Sequence, residues 1–118
     1  MSRVLTHPHM RDVTVAAILH ALSDPVRLGI VKELLKVRGG MNCTETAHRL
    51  KLPMPKSTCS QHYRILRECG LIASERRGVD LICSVRTSEL QVRFPGLLAS
   101  ILASYRKERA SRVKPRTP

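Results

Sequence analysis

Aromatic side chains are nearly absent from this chain. Its 118 residues include two tyrosines, one phenylalanine and no tryptophan. A hydrophobic core must therefore be built mainly from Leu, Ile, Val and Ala. The length suits one compact domain. A domain of this size buries only a modest share of its surface, so a second subunit would add to its stability.

Long hydrophobic stretches are missing as well. The apolar runs are far shorter than the roughly 20 residues that cross a bilayer as a helix. The first ten residues, MSRVLTHPHM, lack the apolar segment of a signal peptide. The sequence therefore predicts a cytoplasmic protein with no membrane partner.

Acidic residues are few compared with basic ones. There are 9 Asp and Glu against 21 Lys and Arg, which gives a net charge of +12 and a pI near 10.6. Such an excess costs self-repulsion in the folded state, which favours a polyanionic partner over a merely solubilising surface. No segment forms an amphipathic helix with a clustered Lys/Arg face, as binding to anionic lipid would require. Nucleic acid is the favoured partner.

Sequence motifs of catalysis are also missing. The chain has no glycine-rich phosphate loop, metal-binding helix motif, nucleophile elbow or paired acids. We therefore expect no enzyme activity, no catalytic residue and no cofactor.

The four cysteines are spaced irregularly, without a C-x-x-C pair, at Cys43, Cys59, Cys69 and Cys83. Disulfides are not expected in a cytoplasmic protein. Cys59 and Cys69 lie ten residues apart on one predicted helix, about 15 Å along its axis, which is too far to bridge.

Hydrophobic periodicity predicts a first group of four helices. The first covers residues 12–22, because apolar side chains recur there at i, i+3, i+4 and i+7. The second is capped by Asp24, begins at Pro25 and stops at Gly39-Gly40. A third helix, 43–50, follows Asn42, which with Glu45 resembles a capping box. After a turn over residues 52–55, a fourth helix runs from Pro55 to Gly70.

The second half of the chain predicts a β-hairpin and a last helix. Two strand-like runs flank Gly78-Val79-Asp80, and a brief helical turn begins at Thr87. The last helix starts after Pro95-Gly96 and reaches Tyr105. We expect a flexible N-terminal arm at 1–11, one DNA-binding and dimerisation domain at 12–105 and a disordered basic tail at 106–118. The predicted fold is mainly α with a small β-hairpin, a winged helix-turn-helix with about five helices and a two-stranded wing.

The fourth helix has two distinct faces. Its core face carries Cys59, Tyr63, Leu66 and Cys69. The opposite face carries side chains that can hydrogen-bond base edges and phosphates, namely Lys56, Ser57, Thr58, Ser60, Gln61 and Arg64. The only acid on that face, Glu68, lies in the last turn. The helix is either an ordinary polar surface or a DNA recognition helix, and the net charge favours recognition.

Three segments resemble the ArsR/SmtB family of bacterial repressors: ALSDPVRLGIVKELL, KSTCSQHYRILRECGLI and ERRGVDLICSVR. The matching positions are Leu22, Pro25 and Arg27, then Ser60, His62, Leu66, Arg67, Gly70 and Leu71, then Arg76, Arg77 and Gly78. The resemblance covers residues 12 to 105. It implies a sequence-specific repressor that binds double-stranded DNA as a homodimer, at a near-palindromic operator, in adjacent major grooves.

The resemblance also implies roles for individual residues. The dimer would form through the first and last helices, with an apolar stripe made of Val15, Leu19, Leu97, Leu98, Ile101, Leu102 and Tyr105. Alternatively, the last helix packs only on its own core. Arg76 and Arg77 would contact phosphate or the minor groove from the wing; alternatively, they are solvated charges at the tip of the hairpin. His62 would donate to a phosphate or satisfy a neighbouring carbonyl, and Arg27 and Arg67 are DNA contacts or ion-pair partners.

No metal sensor is expected. The Cys-x-Cys metal site of the family falls here at Asn42 and Thr44, with Cys43 alone between them, and the last helix lacks the Asp and His of the second family site. Cys59, Cys69 and Cys83 have the character of small buried hydrophobes. A thiol-redox-responsive regulator and a weakly specific nucleoid-type protein remain the alternative hypotheses. No motif identifies an effector ligand.

Overall fold

The computed structural model describes residues 2–4, 6–51 and 54–113. The helices are α1 (Val15–Leu22), α2 (Pro25–Leu34), α3 (Cys43–Leu50), α4 (Lys56–Glu68), α5 (Thr87–Arg93) and α6 (Leu97–Val113). The strands are β1 (Ser2–Val4), β2 (Met41–Asn42), β3 (Ile72–Arg77) and β4 (Asp80–Val85), and a 3-10 turn covers Met10–Asp12. The predicted winged helix-turn-helix is confirmed. The brief turn at Thr87 is a full helix, so the described residues form six α-helices where about five were expected.

Side-chain caps fix the starts of the first three helices. Thr14 accepts a hydrogen bond from the backbone N–H of Ala17. Asp24 accepts from the N–H groups of residues 26 and 27, at 2.7 and 3.2 Å, with Pro25 in the first helical position. Asn42 accepts from Glu45 N at 2.8 Å. The predicted caps Asp24 and Asn42 are therefore confirmed, because these short polar side chains satisfy N–H groups that a helix start leaves unpaired.

The wing is an antiparallel hairpin of β3 and β4, in register from Ile72–Val85 to Arg77–Asp80. Two short strands widen it into a four-stranded sheet of order β1-β3-β4-β2. Strand β2 pairs with β4, with Met41 opposite Cys83. This pairing attaches the sheet directly to the start of α3.

The core is aliphatic, as expected from the shortage of aromatic residues. It contains side chains from every helix and from the sheet, among them Ile18, Ile30, Leu66, Leu71, Ile72, Leu90 and Leu102. Tyr63 is the largest of the side chains that are almost fully buried. Helices α2, α3 and α4 pack on the hairpin, which leaves the outer face of α4 to solvent.

The two termini correct the expectations of a flexible arm and a disordered tail. Ser2–Val4 pairs with Glu75–Arg77 of β3, and residues 10–12 form the 3-10 turn. The pairing is non-local, so no pattern within the arm could indicate it. Helix α6 continues to Val113, because RKERASRV is composed mostly of good helix formers without Gly or Pro. Residues 1, 5 and 114–118 of these segments, and residues 52 and 53 of the predicted turn after α3, lie outside the described residues.

Gly70 is required where α4 turns into β3, and this gives a stability prediction. Its φ is +91°, and an added Cβ would lie 2.3 Å from Cγ2 of the buried Val13. Gly39 also has a positive φ, +80°, but nothing lies within 4 Å of its Cβ position. In both Gly→Ala variants the left-handed backbone conformation should lower the free energy of unfolding by about 1–2 kcal/mol. In Gly70→Ala, overpacking against Val13 should lower the free energy of unfolding by about 1–3 kcal/mol more. Denaturant-induced unfolding of the two variants measures this difference. Equal losses for the two variants would contradict this packing at Val13.

Candidate nucleic-acid interface

Helix α4 presents its polar face to solvent. Six of the predicted recognition residues on it are exposed: Lys56, Ser57, Thr58, Ser60, Gln61 and Arg64. On the opposite face Cys59, Tyr63 and Leu66 are buried, while Cys69 is half-buried. The two faces therefore lie as the helical periodicity predicted.

The start of α4 also favours an anion. Pro55 is the N-cap residue and supplies no side-chain hydrogen bond to the first turn, which contains no acid. The first backbone N–H groups of a helix without such a cap are available to a phosphate. Lys56 adds a positive charge at the same end.

The wing supplies two further arginines next to its tip. Arg76 and Arg77 end strand β3 and are exposed, and Gly78 makes the turn with a φ of +63°. Arg77 pairs with Glu75, which offsets part of its charge. Within the described part of the chain, Arg76 takes part in no ion pair. The charge of Arg76 is therefore the less compensated of the two.

One cleft joins the recognition helix to the wing. It has a volume of about 450 Å³ and lies between the start of α3, the start of α4 and the hairpin tip. Lys56, Ser60 and Arg76 all line it. The structure thus brings together predicted contacts that are up to 20 residues apart in the sequence.

Arg27 is a structural residue. Its side chain is 8% exposed, and its Nε donates to Ala21 O at 2.7 Å while Nη2 donates to His20 O at 3.4 Å. Its Nη1 lies 3.2 Å from His62 Nδ1. Arg27 thereby links the end of α1 to the recognition helix. Of the two roles considered for it, the buried contacts favour the structural one.

The same contact sets the tautomer of His62. An arginine can only donate, so Nδ1 of the half-buried His62 must accept and the imidazole proton lies on Nε2. An Nε2–H group is a donor suited to a phosphate oxygen.

Arg27→Ala should destabilise the fold by about 1–3 kcal/mol, since it leaves the buried carbonyl of Ala21 without its donor. Urea unfolding measures this loss. Arg64→Ala, which removes an exposed arginine of the same helix as His62, is the matched control and should stay within about 0.5 kcal/mol of the wild type. A wild-type stability for Arg27→Ala would contradict the structural role.

Residues of the predicted dimer surface divide into two groups. Val15 and Leu19 on α1 are 42% and 50% exposed. Leu97, Leu98 and Ile101 on α6 are half-buried. Leu102 and Tyr105, by contrast, are buried within the single chain, at 2% and 7% exposure, and so belong first to its own core. Ile18, on the buried side of α1, lines a small cavity together with Leu97 and Leu98 at the start of α6.

The thiols are all free. Cys59 and Cys83 are buried, while Cys43 and Cys69 are half-buried. Burial raises the pKa of both Cys59 and Cys69. Among the residues that the structure describes, no three His, Cys, Asp or Glu side chains are grouped closely enough to hold a metal ion.

Taken together, a helix pair, an exposed polar second helix and a basic β-hairpin beside it define a winged helix-turn-helix DNA-binding protein. Comparison with known proteins agrees. A family model of a helix-turn-helix domain matches residues 22–75. The uncharacterised HTH-type transcriptional regulator YceK of Bacillus subtilis is 31% identical over 97 residues, which cover 82% of this chain and 95% of that protein.

Two further relatives identify the family. The HTH-type transcriptional repressor SmtB of Mycobacterium tuberculosis is 36% identical over 78 residues, covering 64% of this chain and 54% of that repressor. The structure of an ArsR-like transcriptional regulator from Rhodococcus sp. RHA1 superimposes with a TM-score of 0.54 at 28% identity, covering 83% of this chain and 84% of that one.

The chain belongs to the ArsR/SmtB family of winged helix-turn-helix transcriptional regulators. It is therefore a regulator of transcription with a DNA-binding domain, and its family consists of DNA-binding proteins rather than enzymes. Over the described residues, no helix is long and apolar enough to cross a membrane.

Proposed function

We propose that this protein is a sequence-specific bacterial repressor that acts in the cytoplasm and binds a near-palindromic operator as a homodimer. The observation that supports this best is the cleft where Lys56 and Ser60 of α4 face Arg76 of the wing. It lies on a chain with a net charge of +12, and no acid is present in the first turn of α4. A polyanion with grooves, such as duplex DNA, fits this surface.

In this proposal some residues of α4 contact bases and others contact phosphates, depending on their position in the helix. The N-terminal half of a recognition helix enters the major groove. Lys56, Ser57 and Gln61 would contact base edges, since Lys can pair with guanine and Gln with adenine. The remaining donors would bind phosphate and fix the register, and these are Thr58, Ser60, His62 and Arg64. Arg76 and Arg77 would hold the flanking backbone from the wing.

Dimerisation would place two such helices on one face of the duplex. The exposed Val15 and Leu19 on α1, with the half-buried Leu97, Leu98 and Ile101 on α6, would together form an apolar strip at the dimer interface. A two-fold axis through this strip would bring the same surface of both subunits together. The two α4 helices would then contact half-sites that lie one helical turn of DNA, or a multiple of one turn, apart. Leu102 and Tyr105 would support the strip from beneath.

The experiment that tests the proposal is selection of binding sites from a pool of random duplexes. We expect a near-palindromic sequence to be enriched, because base contacts from two symmetric subunits select the same half-site twice. A weakly specific nucleoid-type protein would bind the same pool without enrichment. That outcome would contradict the proposed function.

A further inference from the structure

A second recess lies between α2, the end of α3 and α6. It has a volume of about 540 Å³, and we name it the α2–α6 pocket. All three elements contribute basic side chains to its lining, and these are Lys32, Lys36, Arg49, Lys51 and Arg109. Of the described residues that line it, Glu33 is the only acid. The packing of α2 against α3 and α6 therefore creates a strongly positive recess.

Two of the five positive charges are compensated by carboxylates. Lys36 Nζ lies 2.8 Å from Glu33 Oε2, and Arg49 Nε lies 3.2 Å from Glu45 Oε1. The other three cations form no ion pair with any residue that the structure describes, and these are Lys32, Lys51 and Arg109. Like charges that share one recess repel one another. A bound anion would relieve this repulsion.

The floor of the α2–α6 pocket is apolar. The half-buried side chains of Val26 and Leu50 line it. Gly29 lies in the middle of α2, where glycine costs stability relative to alanine. A Cβ at Gly29 would lie 3.3 Å from Leu50 Cδ2 and 3.8 Å from the Tyr105 hydroxyl oxygen. Glycine thus lets both side chains pack closely on the α2 backbone, and the resulting floor suits an organic ring.

Tyr105 and Arg109 add hydrogen-bond donors to the pocket. The buried Tyr105 accepts a hydrogen bond at its hydroxyl oxygen from Arg109 Nη1, at 3.3 Å. Arg109 Cζ lies 5.7 Å from the centroid of the tyrosine ring. The hydroxyl keeps its own hydrogen for a further acceptor, and the guanidinium keeps further N–H groups. A phosphate group has three strong acceptor oxygens and close to two negative charges near neutral pH, so it matches this set of donors.

The α2–α6 pocket is separate from the cleft that we assign to DNA. Cys43 and Thr44 at the start of α3 line the cleft, whereas Arg49 and Leu50 at the end of α3 line the pocket. None of the described residues lines both. A recess of this size, with an apolar floor and a few polar groups, has the character of a small-molecule site.

We propose that the α2–α6 pocket binds a small phosphate monoester whose organic part is an apolar ring. The phosphate lies among Lys32, Lys51 and Arg109, and the ring lies on Val26 and Leu50. The site is distinct from the DNA surface, so the inference does not rest on the proposed function.

The test uses the full chain and 1-naphthyl phosphate, which joins a phosphate to a flat apolar ring. Isothermal titration calorimetry near neutral pH should show one bound molecule per chain. Its affinity should be at least about tenfold higher than that of inorganic phosphate or of 1-naphthol. Each of these two controls lacks one of the two parts that the pocket accommodates.

A pair of double variants tests the lining cations. Lys32→Gln with Arg109→Gln should weaken binding of 1-naphthyl phosphate at least about tenfold, because two charge-assisted hydrogen bonds are lost. Arg38→Gln with Lys107→Gln removes the same two charges from exposed positions that do not line the pocket. This control should stay within about twofold of the wild type, since salt screens distant exposed charges.

Nuclear magnetic resonance locates the ligand without any substitution. On addition of 1-naphthyl phosphate, the backbone amide signals of Gly29, Leu50 and Tyr105 should shift. The amide signals of Lys56 and Arg76, which line the cleft, should not.

Several outcomes would overturn the inference. These are no binding of 1-naphthyl phosphate, equal binding of inorganic phosphate, equal losses in the two double variants, or amide shifts confined to the cleft. A larger loss of affinity for random duplex DNA in Lys32→Gln with Arg109→Gln than in the control would overturn it too, because these cations would then be DNA contacts. A protein that selects no DNA sequence would contradict the proposed function alone, and the calorimetry would still decide whether the pocket binds a phosphate monoester.

Discussion

Replacing Val15 and Leu19 together with glutamate should convert the protein to monomers and lower its affinity for a two-half-site operator about a hundredfold or more. Both side chains are exposed in the single chain, at 42% and 50%, so the change should leave the fold intact. Four charges at a two-fold axis would oppose burial of the strip. A monomer then binds one half-site and loses the second, effectively intramolecular, contact. Sedimentation and fluorescence anisotropy measure the two effects.

Val92→Glu is the matched control for this experiment. Val92 is an 84% exposed apolar residue on α5, outside the proposed strip. It should leave both mass and affinity unchanged. Glutamates at Leu98 and Ile101 should also give monomers with weaker operator binding. Because both residues also pack on the chain's own core, their replacement could disturb the fold as well as the dimer. The α1 variant therefore tests the dimer interface more specifically. A wild-type protein that sediments as a monomer at micromolar concentration would contradict the proposed dimer.

Gln61→Ala should lower affinity for the selected operator much more than for random DNA. Gln61 is exposed on α4 and lies where a recognition helix contacts bases. A glutamine that pairs with adenine contributes about 1–3 kcal/mol of discrimination. Its loss should therefore relax the preference at one position in each half-site. Equal losses on the two DNAs would mean that Gln61 does not contact a base.

Removing a wing arginine should have the opposite signature. Phosphate contacts are largely independent of sequence, so Arg76→Ala should weaken binding to operator and random DNA alike. It should also reduce the slope of log affinity against log salt by about one unit. Arg77→Ala should change the slope less, because Glu75 already offsets part of that charge. A preference for A/T at the flanks that disappears with Arg76 would instead indicate reading of a narrow minor groove.

Local features of the sequence were enough to predict the wing and the positions of most of the helices. Asp24 and Asn42 each precede an apolar helical pattern, and each caps the helix that follows. The start of α3 at Cys43 could therefore be predicted from Asn42. The hairpin followed from two strand-like runs around Gly78. The two faces of α4 followed from the spacing of Cys59, Tyr63 and Leu66. In each case the determinants lie within a few residues of the element.

Features that depend on distant parts of the chain could not be predicted in this way. The pairing of β1 with β3 joins residues more than 70 positions apart. The contact of Arg27 with His62 exists only after α2 packs on α4. Leu102 and Tyr105 continue the apolar stripe of α6, and periodicity cannot tell whether a stripe faces its own core or a second subunit. Burial assigned these two to the core.

The most direct test of the central claim compares one selected operator with the same duplex in which one half-site is scrambled. Anisotropy titrations at near-physiological salt give the two affinities. A dimer that reads bases with two α4 helices should bind the scrambled duplex about a hundredfold or more weakly, because a whole half-site of base contacts is lost. Equal affinities for the two duplexes would contradict sequence-specific recognition by a homodimer.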